Sequence, residues 1–351
     1  MKKRIISIAA AVIVLAATFV LLQRLLMPKY ISVNEEGGLA AEYYDNAGNN
    51  DVIFIGDCEV YTNYSPIKMW TERGVTSYIR GTPQQMIWQA YYMLEDALRY
   101  ETPKVVIYNV LSMKHGEPER VAYNRLALDG MRWSSTKYRA IKASMTEEES
   151  VISYVFPLLR FHSRWSEITA EDFEYMFKTE PLSHNGYLMR IDTKPAGTVL
   201  EPIPLPDYSF AQVCWDYLEK IRSLCADNGI KLILVKAPTL YPAWYPQWEE
   251  QIEAYAKEHG LTYLNFLEKA DEIGIDYTKD TYDAGMHLNL SGAEKLGAWL
   301  ANYLADNGLV SDRRGDAATA EQWQKKIEFY EAMQASQKKQ LEEKGSLNSL
   351  R

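Results

Sequence analysis

Five short apolar runs, at 52–55, 75–79, 105–110, 232–235 and 261–266, constrain the fold more than any other feature of the chain. Runs of this length, bounded by polar and turn-forming residues, read as strands buried on both faces. Stretches with apolar residues at helical spacing separate several of them. Residues 85–100 carry Met86, Trp88, Ala90, Met93, Leu94 and Ala97, and residues 210–227 carry Val213, Tyr217, Ile221 and Leu224. Residues 248–259 run into Gly260, a good helix stop. Strands alternating with helices predict an α/β fold with a doubly wound, five-stranded parallel sheet. Ligands in such folds lie beyond the carboxyl ends of the strands, near the switch in strand order.

A chain of 351 residues holds one large domain or two modest ones. About 120 residues separate the third and fourth runs, too many for a simple crossover. Residues 111–205 therefore read as an insertion, mostly helical at first and then loop-rich. It contains Tyr123-Asn124-Arg125, Met131-Arg132-Trp133, Arg160 through Trp165, and Ser183-His184-Asn185-Gly186-Tyr187. Such clusters bind sugars or anionic polymers, or they pack an insertion onto a sheet.

Lys2, Lys3 and Arg4 precede 18 uncharged residues, 5–22, and no small-residue cleavage site follows. This predicts an uncleaved transmembrane helix with a cytoplasmic N-terminus, which puts the main domain outside the cytoplasm. The expected boundaries are 1–28 for the cytoplasmic tip and anchor, 29–50 for a polar linker, 51–310 for the domain and 311–351 for a charged C-terminal helix and tail. That helix carries an apolar stripe at Trp323, Ile327, Tyr330 and Met333, with Thr319 as its expected N-cap. The net charge of −9 argues against nucleic-acid binding. Most of the 25 Tyr and nine Trp are expected in the core, with a subset lining a cleft.

Cys58 follows the first run in Ile55-Gly56-Asp57-Cys58-Glu59, at a strand end that opens a helix. The helix N-terminus favours thiolate there, while Asp57 and Glu59 oppose it if their carboxylates turn inward; paired with His287, the thiol is expected to be partly ionised near neutral pH. Cys214 and Cys225 lie eleven residues apart on one predicted helix, roughly 16 Å, which is beyond disulfide reach. Both are expected to be buried. Far downstream stands Tyr282-Asp283-Ala284-Gly285-Met286-His287. Ser291 and Glu294 have capping-box spacing, which predicts a helix from about Gly292 and leaves His287 on the loop before it. His259 suits a helix C-terminus. His115, His162 and His184 lie in the insertion as structural residues, and their spacings suggest no metal site.

A nucleophile-type residue in a Gly-Asp-Cys-Glu string at a strand end, with a late Asp–His block, resembles the SGNH/GDSL hydrolases. The resemblance covers roughly residues 51–110 and 230–305. It implies the flavodoxin-like sheet of that superfamily, with Cys58 as nucleophile, His287 as base and Asp283 as its supporting acid. It also implies an oxyanion hole from the Cys58 backbone N–H, Gly81 and Asn109. Cysteine stands where the family has serine, and Asp283 precedes His287 by four rather than three residues. Either a bulge at Gly285 keeps Asp283 in the role, or another acid orients the imidazole, with Asp280 the alternative. Arg80, Gln84 and Trp244 are expected on the substrate side. No metal or organic cofactor is implied.

The anchor, the outward orientation and the insertion are distantly similar to the teichoic-acid D-alanyl transfer protein and to exopolysaccharide acetyltransferase-like proteins. The expected activity is an esterase or acyltransferase acting on a cell-envelope polysaccharide or teichoic-acid-like polymer, beside a membrane-bound O-acyltransferase. The alternative is a non-catalytic envelope-binding or scaffold protein with the same fold.

Overall fold

The computed structural model describes residues 2–27, 37–118, 120–174, 176, 181–199 and 201–347. Its centre is a five-stranded, fully parallel sheet made of β1 (Val52–Gly56), β2 (Ser77–Gly81), β3 (Val105–Asn109), β4 (Lys231–Lys236) and β5 (Thr262–Asn265). The order β2-β1-β3-β4-β5 is the doubly wound order expected from the alternation, with the switch between β1 and β3. The helices in chain order are α1 (Lys2–Leu26), α2 (Gly38–Asn46), α3 (Cys58–Asn63), α4 (Pro66–Arg73) and α5 (Ile87–Ala97). Then come α6 (Val121–Leu128), α7 (Ser135–Ser144), α8 (Val151–Val155), α9 (Leu158–Phe161) and α10 (Ala170–Glu174). The last are α11 (Gln212–Asp227), α12 (Pro246–Glu258), α13 (Ala270–Ile273), α14 (Leu290–Asp306) and α15 (Ala317–Lys344).

Side-chain alternation along each strand sorts the core into two layers. Val52, Phe54, Val105, Ile107, Ile233 and Val235 face a layer that includes residues of α4, α14 and α15. Ile53, Ile55, Val106, Tyr108, Leu232 and Leu234 face α5, α11 and α12. Burial on both faces is why these strands read as continuous apolar runs. Cys214 and Cys225 are buried in the second layer, as expected of small apolar side chains.

Four local expectations are corrected. β2 begins at Ser77 rather than residue 75, because Gly74 ends α4 in a left-handed conformation and Val75 and Thr76 complete the turn. The shift brings Gly81 level with Gly56 at the carboxyl rim. Residues 38–46 form a helix rather than linker, with Tyr43 fully buried beside Tyr78 and Arg80; residues 29–36 lie outside the described residues. α14 starts at Leu290 with Asn289 as N-cap, since the Asn289 carboxamide accepts from Gly292 N–H. α15 is capped by Asp316, whose Oδ1 accepts from Thr319 N–H at 2.9 Å. Its apolar stripe docks as expected: Trp323 stacks on Trp70 at 4.9 Å, and the Tyr330 hydroxyl bonds Ser65 and Glu294.

The insertion divides into parts. Its middle, α6 and α7, packs on α2 and α5. Its later end, 187–198, returns to the carboxyl rim: Leu188 N–H donates to Tyr61 O, and Lys194 N–H to Thr281 O. α1 is long and apolar enough to cross a membrane, with mean hydropathy 2.9 over its best window and none of that window buried.

Candidate active site

β1 delivers its chain to the switch point, and Gly56 makes the turn. Its φ is +146°, and a Cβ there would lie 3.1 Å from Asn109 Cβ and 3.2 Å from Val60 Cγ1. Asp57 then caps α3, its Oδ1 accepting from Glu59 N–H at 3.1 Å, and Cys58 becomes the first helical residue. The Cys58 N–H therefore has no intrahelical partner. Gly81 abuts this turn from β2, where a Cβ would lie 2.3 Å from Val60 Cγ2 and 3.2 Å from Asp57 O. A side chain at 81 would push α3 off the rim.

The second component is the loop before α14. Ala284 and Gly285 both take left-handed backbone, with φ of +65° and +100°. This is the bulge the four-residue spacing requires. Ala284 N–H donates to Lys194 O, and Leu240 N–H to Gly285 O, so neighbouring loops hold the turn. Asp283 Oδ1 accepts from His287 N–H at 2.7 Å, and Asp283 Oδ2 lies 2.5 Å from His287 Nδ1. Hydrogen bonding at Nδ1 fixes that proton and leaves Nε2 as the basic nitrogen. Asp280, the alternative acid, is buried and already holds Lys295 Nζ at 2.6 Å and Asp276 N–H at 2.7 Å.

The two components are tied together. Leu288 N–H donates to Asn63 Oδ1 at 2.8 Å, which joins the residue after His287 to the end of α3. The Tyr282 ring lies nearly parallel to the His287 imidazole, at 13° and 5.8 Å, with the Arg190 guanidinium 5.3 Å from the same ring. Burial first, then Asp283 and Cys58, push the Tyr282 phenol well above its usual range. Tyr282 thus neighbours both the dyad and the thiol. No hydrogen bond joins Cys58 Sγ to His287.

Electrostatics correct one expectation. Burial raises the Cys58 thiol well above its ordinary value, and Asp57 and Glu59 raise it further, against a smaller opposing effect of Lys114. Desolvation and the acidic neighbours outweigh the helix N-terminus. Asp57 itself is raised, by burial and then by Glu59. The resting thiol is therefore neutral near pH 7.

Beneath Cys58 lies a buried charged cluster. Glu59 Oε1 accepts from Lys236 Nζ at 2.7 Å and bonds the Thr239 hydroxyl, while Glu59 Oε2 accepts from Asn109 Nδ2 at 2.8 Å. Lys236 Nζ also donates to Ala237 O and Thr239 Oγ1. Asn109 Nδ2 further approaches Asp57 Oδ1 at 3.4 Å, and its Oδ1 accepts from Ala237 N–H. Both ends of that carboxamide are committed to the interior, so Asn109 is a strut between β1, β3 and β4 rather than an oxyanion donor.

Arg80 is not on the substrate side. It is buried, with Nη1 donating to Met93 O at 2.6 Å, the guanidinium 3.4 Å from Asp96 Oδ2, and the Tyr43 ring 4.0 Å away. Gln84 is partly exposed in a left-handed turn with φ of +51°. Its neighbour Gln85 does the local work, accepting from Gly56 N–H and donating to Arg80 O. Trp244 packs with Phe210 and Trp248, and its indole N–H donates to Glu249 Oε2 at 2.5 Å.

Sequence reasoning missed Lys114, Arg190, Tyr282 and the Glu59–Lys236 pair. The last left a signal: Lys236 is a lone charge ending an apolar run, and it needs a buried partner. Tyr282 lay inside the histidine block but carried no assigned role.

No family model and no curated protein matches the chain. Among solved structures, a Bacteroides fragilis NCTC 9343 protein described as a candidate acylhydrolase is similar at 12% identity. The match covers 77% of this chain and 95% of that one, with a TM-score of 0.36. At that distance it assigns no activity and no residue.

Proposed function

We propose that the chain is a membrane-anchored, extracytoplasmic SGNH-like acyl esterase or acyltransferase that acts on a cell-envelope polymer through Cys58, His287 and Asp283. The observation that carries this reading is the Asp283–His287 pair, held on a loop bonded to the helix that Cys58 opens. An aspartate that fixes Nδ1–H leaves Nε2 to act as base, the arrangement that acyl transfer needs.

In this reading Cys58 Sγ attacks the carbonyl carbon of an acyl ester as Nε2 of His287 takes the thiol proton. The Cys58 N–H and the Gly81 backbone stabilise the oxyanion. The ester C–O bond breaks, the leaving alcohol takes the proton from His287, and a thioester remains. Water or a polymer hydroxyl then attacks the thioester and gives its proton to His287, which returns it to sulfur as the C–S bond breaks. Because the resting thiol is neutral, the proton moves during attack, as in serine enzymes, with no preformed ion pair. The missing Sγ–His287 hydrogen bond accords with this, since catalytic contacts often tighten only around substrate.

A second reading, a scaffold working beside a membrane-bound O-acyltransferase, is favoured by that same raised thiol. Complementation separates the two. Cells lacking the protein receive wild-type, Cys58→Ala or His287→Ala chains, and ester-linked acyl groups on the envelope polymer are measured. Loss of the acyl phenotype with both variants supports the enzyme. Full complementation by both overturns it in favour of the scaffold.

A further inference from the structure

We propose that residues 151–173 of the insertion form an interfacial membrane seat around α1, with their apolar side chains in the lipid leaflet from which that helix emerges. The proposal rests on the reading of α1 as an anchor. Ile152, Val155, Phe156 and Leu159 are 51%, 38%, 40% and 54% exposed, and Trp165 and Phe173 reach 72% and 61%. The first four gather at the break between α8 and α9, where Phe156 leaves helical backbone with φ of −123° and Pro157 opens the next turn. The same stretch turns Tyr154 and Phe161 inward, where they are 1% and 7% exposed. The sequence thus separates an inner side from an outer apolar side.

The apolar side is continuous with α1. The Phe156 ring meets Phe19 edge-on at 5.7 Å. Arg164, buried and paired with Asp172 at 3.2 Å, donates from Nη1 to Leu26 O at 2.7 Å. That bond caps a carbonyl the helix end leaves unsatisfied. Phe19 lies seven residues before Leu26, roughly 10 Å back along the helix axis. Phe156 therefore packs at a depth comparable to the ~5–10 Å at which interfacial helices bury their apolar face. Trp165 follows Arg164 on the same turn, and tryptophan favours the headgroup boundary. Most of α1 is itself exposed, with Ile13 at 67% and Leu15 at 69%, so the medium that covers it covers the contiguous face. Lipid is that medium. Such a seat would restrict tumbling of the catalytic rim about the anchor.

The test uses the full chain in phosphatidylcholine–phosphatidylglycerol vesicles, with and without bromine on the acyl chains. α1 contains no tryptophan, so bromine quenching reports only on the domain. The expected result is that brominated lipid quenches part of the tryptophan fluorescence, and that Trp165→Phe cuts the quenched fraction at least twofold. A chain that floats with the vesicles yet is unquenched, or is quenched equally after Trp165→Phe, overturns the seat and leaves the anchor standing. A chain that fails to float overturns the anchor and the seat together.

Discussion

Asp283 reaches His287 twice across a four-residue turn, through Oδ1 to the backbone N–H at 2.7 Å and through Oδ2 to Nδ1 at 2.5 Å. The left-handed pair Ala284–Gly285 makes the double contact possible, because it absorbs the extra residue and folds the carboxylate back over the ring. The turn thereby selects the imidazole tautomer.

Asp283→Asn tests that selection. An amide can donate to Nδ1 and so favours the wrong tautomer, a change that costs on the order of 10⁴-fold in turnover in serine enzymes. Ester hydrolysis should fall by about that factor, with the melting temperature nearly unchanged. Asp280→Asn should do the reverse, because it weakens the buried Lys295 pair and leaves the imidazole untouched. Equal rates for wild type and Asp283→Asn would remove Asp283 from the mechanism.

The buried Glu59–Lys236 pair makes a second prediction. Both side chains are at most 1% exposed, so Lys236→Met strands a carboxylate in the core. Breaking such a pair costs about 3–5 kcal/mol. Urea unfolding should show a loss of that order. Adding Glu59→Gln should recover much of it, because the amide still accepts from Asn109 without a charge to compensate. Additive losses in the double variant would show that the two residues do not act as a pair.

The sheet was legible in the sequence because its strands are buried on both faces, and burial writes itself as apolar runs. The positions of Cys58 and His287 were legible, because one opens α3 and the other lies on the loop just before α14. Arg80, Asn109 and Lys236 were not, since a polar residue at a strand end looks the same whether it faces a cleft or a partner in the core. Only the fold brings Asp96 to Arg80 and Glu59 to Lys236. The Cys58 thiol was misread for a related reason: the helix N-terminus is visible in sequence, whereas desolvation by neighbours is not.

Thiol chemistry should show the correction. Cys58 is raised well above its usual value, Cys214 to about 11 and Cys225 to about 12. Iodoacetamide should react slowly with all three at pH 7. Cys58 should still react first, because only it is partly exposed. Its rate should climb without a plateau through pH 9. A plateau below pH 8 would mean a preformed thiolate.

His184 predicts acid sensitivity. It is buried against Phe329 and Tyr330, its Nδ1 has no partner, and burial lowers its pKa to about 3. A depressed folded value means that its contribution is fully present above the unfolded value, near 6.5, and is lost as pH falls toward 3. Between pH 7 and pH 4 this amounts to on the order of 3 kcal/mol. Glu42 acts oppositely, since burial raises it to about 7 and its contribution is lost as pH rises from about 4.5 to 7. Unfolding midpoints at pH 7 and pH 4 should therefore draw together in His184→Gln. An unchanged difference would place the acid-sensitive group elsewhere.

The most direct measurement of the central claim is mass spectrometry of the protein quenched in acid during turnover of an activated acyl ester. The account predicts an acyl adduct on the Cys58 peptide of the wild type and none in Cys58→Ala, with Cys58→Ser keeping measurable turnover because the proton moves during attack. Turnover by wild type with no adduct on Cys58, together with an equal rate in Cys58→Ala, would contradict it.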